Sequence, residues 1–420
     1  MRNLDAAFAT ELAYGTVRMR GRYDPVIVHL TERGLSRLEK QLVNALRLGL
    51  HQLVAMRVPD HAAVSETVAL ARAELGSGSA QLVNAILRRA ADGPFEAIEA
   101  ELMADLSPDD VLARRHSHPV WIVRALRQAL LAAGRPVTDL EAVLEANNTQ
   151  PSTTLVARPG LIDRDALLTD LGEPAGPGLY SPHAIVLGGG DPGRIAAVRD
   201  GRAAVQDEGS QLVALALTEA GEARENERWL DLCAGPGGKT ALLGALAAQR
   251  GATVVANEPQ PHRADLVRQA VRGLPPDVVE VRVEDGREFG ELEPGGYDRV
   301  LVDVPCTGLG ALRRRPEARW RHTPSDLATL TPLQLELLTS GLAALRPGGV
   351  LAYATCTPHI AETRLLLGDA LKGGGFELVP PETVPILSGF GDAIRGGALQ
   401  LWTDLHGTDA MFLALVRRVT

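Results

Sequence analysis

The chain has 420 residues, 45% of them hydrophobic and 23% charged, with a formal net charge of −9. That length exceeds one ordinary core and predicts two or three domains, while the composition excludes wholesale disorder. The acidic total argues against a surface that coats nucleic acid, and no run of 18 consecutive apolar residues offers an ordinary membrane-spanning helix.

The opening Met1-Arg2-Asn3-Leu4-Asp5 lacks the apolar core of a signal peptide, so a cytoplasmic protein is expected. Residues 1–137 read as helices throughout. Apolar residues recur at three- and four-residue spacing from Ala6 to Val17, Leu42 to Met56 and Val64 to Leu75. Pro59-Asp60 and Gly76-Ser77-Gly78-Ser79 break these helices, and another runs from Leu82 to Arg89. The first 58 residues carry nine Arg/Lys against five Asp/Glu, a surplus that by itself is only weak support for RNA binding.

Asn147-Asn148-Thr149-Gln150-Pro151 has the composition of a linker. Residues 138–204 read as a small α+β connecting module, with strands at Thr153–Ala157 and Ala184–Leu187, a helix at Ala166–Leu171 and a loop at Gly188–Gly193. From 205 to 420 strands alternate with helices. Strands are expected at Trp229–Leu232, Thr253–Ala256, Val278–Val283, Arg299–Val302 and Val350–Tyr353, with helices Thr240–Ala248 and Arg263–Arg272 between the first three. Such alternation predicts an α/β, Rossmann-like parallel sheet whose ligands bind at the carboxyl ends of its strands.

The unusual residues fall at those ends. Cys233-Ala234-Gly235-Pro236-Gly237-Gly238-Lys239 follows the first strand, and Lys239 is one of only three lysines in the chain. A P-loop would need glycine where Cys233 stands, and a dinucleotide fingerprint would need glycine at Thr240. The loop therefore lets backbone approach a ligand without matching either phosphate motif. Glu258, after the second strand, suits ribose hydroxyls, and Asp285, after the third, suits an adenine amino group. A ribose and adenine site without a phosphate cradle fits S-adenosylmethionine (SAM) better than NAD or ATP.

The next two strands run into Asp303-Val304-Pro305-Cys306-Thr307-Gly308 and Ala354-Thr355-Cys356-Thr357-Pro358. Neighbouring parallel strands would bring Asp303 and both thiols to one rim. No metal is expected there, because the chain has no Cys-x-x-Cys and His116-x-His118 lies in the helical part. Two thiols and an acid suit methylation of cytosine C5, a poor nucleophile. A thiolate added at C6, with an acidic group steadying the ring at N3, makes C5 enamine-like, and the C5 proton must then leave so that the thiol is eliminated.

Leu230 to Thr240, Asp303 to Gly308 and Ala354-Thr355-Cys356 together resemble the RNA 5-methylcytosine methyltransferases of the Nol1/Nop2/Sun family. The resemblance implies that Cys356 is the nucleophile, that Cys306 assists product release and that Asp303 contacts the cytosine, with Lys239 beside them in the catalytic group. It places SAM against Cys233, Ala234, Gly235, Pro236, Gly237, Gly238, Lys239, Glu258, Asp285 and Asp303; the family usually has Asp where this chain has Glu258. The tail His406-Gly407-Thr408-Asp409-Ala410-Met411-Phe412 resembles a family ending that usually reads Asp-Gly-Phe-Phe.

Phe8 to Arg18, Leu46 to Leu53 and Val83 to Arg88 resemble a NusB-type helical RNA-binding domain. Fused to this catalytic domain, it resembles the bacterial small-subunit rRNA members of the family, which implies 16S rRNA as partner; a monomer is expected. Gln206-Asp207-Glu208-Gly209-Ser210-Gln211 fits the same group. Arg313-Arg314-Arg315-Pro316-Glu317-Ala318-Arg319-Trp320-Arg321 follows the Pro-Cys loop, and its five arginines and one tryptophan are expected to grip phosphates and stack on RNA. The motifs leave open the same chemistry on tRNA or another rRNA, and a non-catalytic NusB-like binding or assembly factor.

Overall fold

In the computed structural model, which describes residues 3–419, the chain divides into two compact units. One holds residues up to Ala125 together with Leu140–Thr149 and Leu312–Arg321; the other holds Leu126–Asp139, Gln150–Ala311 and the remainder from His322. Met1 and Arg2, read above for a leader, lie outside the described residues. No helix among those described is long and apolar enough to cross a membrane.

The first unit is helical. Its helices include Asn3–Arg18, Arg20–Thr31, Lys40–Val54, Asp60–Leu75, Ser77–Ala91, Phe95–Met103 and Pro108–Arg115. Lys40–Val54 carries Leu42, Val43, Leu46 and Leu50 on one stripe into a core shared with Tyr23, Ile27, Val83 and Leu87. Gly49 lets Ser77–Ala91 approach, because a Cβ there would lie 2.4 Å from Leu87 Cδ1. The fifth helix begins at Ser77 rather than at Leu82. Gly76, at φ +87°, makes the break alone, and the small polar residues after it form the first turn. Part of the early basic surplus is spent internally: Arg22 grips Glu99 at 2.6 and 2.7 Å, and Arg47 reaches Asp24 at 2.6 and 2.8 Å.

Leu140–Ala146 is a helix, and Leu140–Thr149 folds with the helical unit rather than with the connecting module. Leu140, Val143 and Leu144 are buried, a spacing that a short stretch between two turns shows too briefly to stand out. The module proper is a four-stranded antiparallel sheet of β1 (Thr153–Ala157), β2 (Gly176–Pro177), β3 (Ala184–Leu187) and β4 (Ala203–Val205), in the order β2-β3-β1-β4. It packs Leu155, Ile185 and Ala203 over the helix Arg164–Leu171, whose N-terminus Asp163 caps by accepting from the Ala166 amide at 2.9 Å.

The large sheet contains β5 (Arg228–Asp231), β6 (Thr253–Asn257), β7 (Val279–Arg282), β8 (Tyr297–Asp303), β9 (Leu345–Thr355), β10 (Phe376–Val379), β11 (Ile394–Arg395), β12 (Ala398–Gln400) and β13 (Phe412–Arg418). Its order is β11-β12-β13-β9-β8-β5-β6-β7, with β10 also on β13. The five strands β5 to β9 are parallel, as expected; β10 to β13 add an antiparallel edge that the sequence reading did not include.

Both faces are covered, which explains the unbroken apolar runs. Leu301, Ala352 and Leu413 face a core with Leu212, Leu215, Leu242 and Leu246. Val300, Val302, Leu351 and Tyr353 face the other, with Leu337, Leu338, Leu342 and Leu366. Each buried leucine or valine among them contributes roughly 1.5–3 kcal/mol by leaving water. Because β5 is central and the chain passes to β6 on one side and to β8 on the other, the β5/β8 boundary is the point where the strand order reverses.

Candidate active site

At that boundary the β5 strand ends in Asp231, and the chain turns through Cys233 to Gly237 into the helix Gly238–Arg250. The Ala234 amide donates to Asn257 O at 2.8 Å, which ties the loop to β6. Gly237 has φ +106°, and a Cβ there would lie 2.6 Å from Ala270 Cβ. A Cβ on Gly235 would lie 2.1 Å from Glu258 Oε2, so only glycine leaves that carboxylate in place. Glu258 is buried. Its Oε1 accepts from the Gln260 amide at 3.1 Å, and Arg263 stands 3.5 Å from its Oε2 while donating to Gly235 O at 2.9 Å. A buried acid facing a glycine that leaves it room is a cradle that fits the ribose side of a nucleoside ligand.

Asp231 lies beneath the loop. Its Oδ2 accepts from the Thr240 hydroxyl at 2.7 Å, and its Oδ1 is buried with no hydrogen-bond partner. Burial above all, with repulsion from Asp303, pushes its carboxyl up to about 7. Burial likewise holds the Cys233 thiol well above its ordinary value. Asp285 is less enclosed, and Arg287 contacts it at 2.6, 2.9 and 3.1 Å. An adenine amino group would share that carboxylate with Arg287.

Parallel pairing sets Asp303 opposite Ala354, so the ends of β8 and β9 are level and both cysteine loops start at one height. Cys306 Sγ and Cys356 Sγ lie 3.4 Å apart. Lys239 Nζ donates to Asp303 Oδ2 at 2.7 Å. Burial alone would lower the lysine pKa, but attraction to Asp303 and that hydrogen bond, aided by Cys356 and Asp231, hold it raised. The Cys306 thiol is held well above its ordinary value, first by its hydrogen bond to Cys356, then by burial and the nearby charges of Glu362 and Asp303. Thus Cys306, Cys356, Asp303 and Lys239 converge, while Glu258 and Asp285 stand at successive strand ends across the glycine loop.

Sequence reasoning passed over the residues beneath the thiols. Buried Glu362 accepts from the Thr307 amide at 2.8 Å, from the Thr307 hydroxyl and from Gln334 Nε2 at 3.0 Å. Thr307 Oγ1 and Thr357 Oγ1 are 3.2 Å apart. The repeated Cys-Thr pair was the available signal for the two threonines. Glu362 and Gln334 carried none, since their partners are distant in sequence.

The arginine run requires a correction. Arg319 is fully buried, and its guanidinium donates to Ser117 O at 3.0 Å, Asn147 O at 2.8 Å and Asn148 Oδ1 at 2.7 Å, all within the helical unit. It is therefore a structural arginine, not a phosphate contact, and burial pushes its pKa down to about 9. The half-buried Trp320 donates its indole N–H to Val17 O at 3.0 Å and lies under Arg20, so it too is committed to the helices. Arg313 is buried and Arg314 half-buried, whereas Arg315 and Arg321 are exposed. Elsewhere in the helical unit, His116, Glu141 and Glu145 bring possible ligand atoms within 4.8 Å of one another, but Glu141 is already held by Arg115 and His116.

Residues 219–417 match the family model described as 16S rRNA methyltransferase RsmB/F, and residues 1–92 match the NusB family. The chain is 51% identical over 420 residues to the Mycobacterium tuberculosis (strain H37Rv) protein named "Putative methyltransferase Rv1407", covering 99% of this chain and 89% of that one. It is 30% identical over 424 residues to the "Probable ribosomal RNA small subunit methyltransferase B" of Bacillus subtilis, covering 97% and 90%. Among solved structures, that of PH0851 has a TM-score of 0.80 at 22% identity over 97% of this chain and 89% of that one. A methyltransferase homolog from Pyrococcus horikoshii has a TM-score of 0.60 at 22% identity, over 74% and 100%; at such identities the likeness shows the fold. The chain belongs to the RsmB/F family of 16S rRNA methyltransferases and carries a NusB-family domain at its N-terminus.

Proposed function

We propose that the chain methylates cytosine C5 in 16S rRNA, with SAM as methyl donor and a covalent bond between Cys356 and C6 of the base. The observation that carries this reading is the 3.4 Å approach of the Cys306 and Cys356 sulfurs beyond the ends of β8 and β9, with Asp303 ending β8 and Lys239 bonded to it. The names of the relatives supply the ribosomal RNA; the C5 position rests on the chemistry of the paired thiols.

The Cys356 sulfur adds to C6 as a thiolate, stabilised by the Lys239 ammonium and by the Cys306 S–H, which donates to it. Asp303, with Lys239 behind it, faces N3, and the proton that N3 gains comes from this pair. Bound SAM supplies an electrophilic methyl group. Gly235, Gly237 and Gly238 would let it approach the loop backbone; Glu258 would accept from its ribose hydroxyls, and Asp285 from its adenine amino group. After methylation the C5 proton passes to Cys306 sulfur, which has by then released its own proton to solvent, and N3 returns its proton to the Asp303–Lys239 pair. The freed electron pair closes the C5–C6 double bond, and the C6–S bond breaks to return the Cys356 thiolate. RNA contacts come from the helical unit, exposed Arg315 and Arg321 among them.

Bisulfite sequencing of total RNA from a strain lacking the gene tests substrate and position together. Loss of one 5-methylcytosine in 16S rRNA, restored by the wild-type gene and not by Cys356→Ala, is expected. An unchanged 16S pattern with a site lost from tRNA would move the activity to that RNA.

A further inference from the structure

The loop that carries Cys306 is gripped on both sides of the cysteine. Before it, Pro305 O accepts from Gln334 Nε2 at 2.8 Å; after it, the Thr307 amide and hydroxyl donate to Glu362. Gln334 Nε2 also donates to Glu362 Oε1 at 3.0 Å, so amide and carboxylate form one clasp. The far end of the loop is pinned as well. The Gly310 amide donates to Cys356 O at 2.9 Å, and Gly310 O accepts from the Ala410 amide at 2.9 Å.

Glu362 is fully buried, and its donors are neutral: a backbone amide, a hydroxyl and a carboxamide. Burying a carboxylate without a cation is costly, and an apolar residue or glutamine would avoid that cost. The charge has a directional effect instead. A carboxylate only accepts, so Thr307 must donate to it, and Thr357 must then donate to Thr307. The His359 amide in turn donates to Thr357 Oγ1 at 3.2 Å. The chain of hydrogen bonds His359 to Thr357 to Thr307 to Glu362 thus has one polarity and joins the residue after Cys356 to the residue after Cys306. A neutral amide at 362 would release that polarity.

We propose that Glu362 is a positioning residue for product release: it locks the Cys306 loop to the Cys356 loop, touching neither RNA nor cofactor. The inference rests on the two-thiol reading given above. Cys306 is the group whose placement depends on the clasp, so the release step is the one that suffers. Glu362 also adds to the negative charge that raises the Cys306 pKa, consistent with that role.

The test uses full-length Glu362→Gln, SAM and a 16S rRNA transcript, with Cys306→Ala on the same denaturing gel. In Glu362→Gln the single-turnover rate of adduct formation should stay within about twofold of wild type while turnover falls about tenfold or more and the covalent protein–RNA adduct accumulates. Glu362→Asp, which keeps the charge, should recover part of the turnover. Unchanged turnover, or equal loss of both steps with a lowered melting temperature, would overturn the positioning role. If Cys306→Ala itself accumulates no adduct, the two-thiol reading fails, and Glu362 is judged by a readout that needs no RNA. The pH profile of Cys306 alkylation by iodoacetamide, mapped by mass spectrometry with Cys356 as internal reference, should move to lower pH in Glu362→Gln. An unmoved profile would overturn the inference.

Discussion

Lys239 Nζ lies 2.7 Å from Asp303 Oδ2, so the lysine that opens the helix after β5 and the acid that ends β8 form one charged unit across the point where strand order reverses. Lys239→Met removes the cation that answers Asp303 and steadies a thiolate at Cys356. Turnover should fall about 10²–10³-fold, the loss typical of removing one preorganised electrostatic partner. Methyl transfer from radiolabelled SAM to 16S rRNA measures it, and a loss under about threefold would remove Lys239 from the catalytic group.

The glycine loop gives a paired prediction. Glu258→Ala should weaken SAM binding by about 1–3 kcal/mol, the loss of a charged hydrogen bond. Gly235→Ala should weaken it too, because its new Cβ displaces the Glu258 carboxylate and crowds Arg263 beside it. Calorimetry on the full-length protein tests both. Unchanged affinity in either would take Glu258 out of the ribose site, and tight ATP or NAD binding would overturn the cofactor assignment.

Asp231 gives a pH dependence. Its folded-state pKa, about 7, stands above the unfolded carboxylate value near 3.9. Between those values the folded state holds a proton that the unfolded state has lost, so this group's contribution is full below the lower value and is lost as pH rises toward 7. Asp231→Asn, which mimics the protonated form, should therefore gain stability relative to wild type as pH rises from about 4 to 7. Chemical denaturation across that range reads the difference, and a pH-independent gap would contradict it.

The arginine run divides into two kinds of residue. Arg319→Gln should destabilise the helical unit by about 2–4 kcal/mol, since the Ser117 and Asn147 carbonyls lose a buried charged donor. Arg315→Gln with Arg321→Gln should leave melting unchanged and flatten the salt dependence of RNA binding by roughly one counterion per lost phosphate contact. An unaltered salt slope would mean that these two arginines face only solvent.

That division shows where sequence reading stops. Cys306 and Cys356 were legible as a pair because each follows an apolar run, and parallel strands in level register bring such ends together. Glu258 and Asp285 were legible for the same reason. Arg319 was not: its neighbours present a charge run, and nothing local announces that carbonyls at 117 and 147 wait for a donor. Glu362 sits in a stretch without period, and its partners Thr307 and Gln334 are 55 and 28 residues away. The strand Phe412–Arg418 was not read as a strand at all, and its antiparallel pairing with β9 depends on turns that no local pattern announces.

The most direct measurement incubates wild type, Cys306→Ala, Cys356→Ala and the double variant with SAM and a 16S rRNA transcript, then resolves them on a denaturing gel. Cys306→Ala should attack and methylate but stall, giving a protein–RNA adduct that survives denaturation and is absent from Cys356→Ala and from the double variant. An adduct that forms in Cys356→Ala and requires Cys306 would reverse the two roles. No adduct from either single variant, with methyl transfer intact, would contradict a two-thiol mechanism.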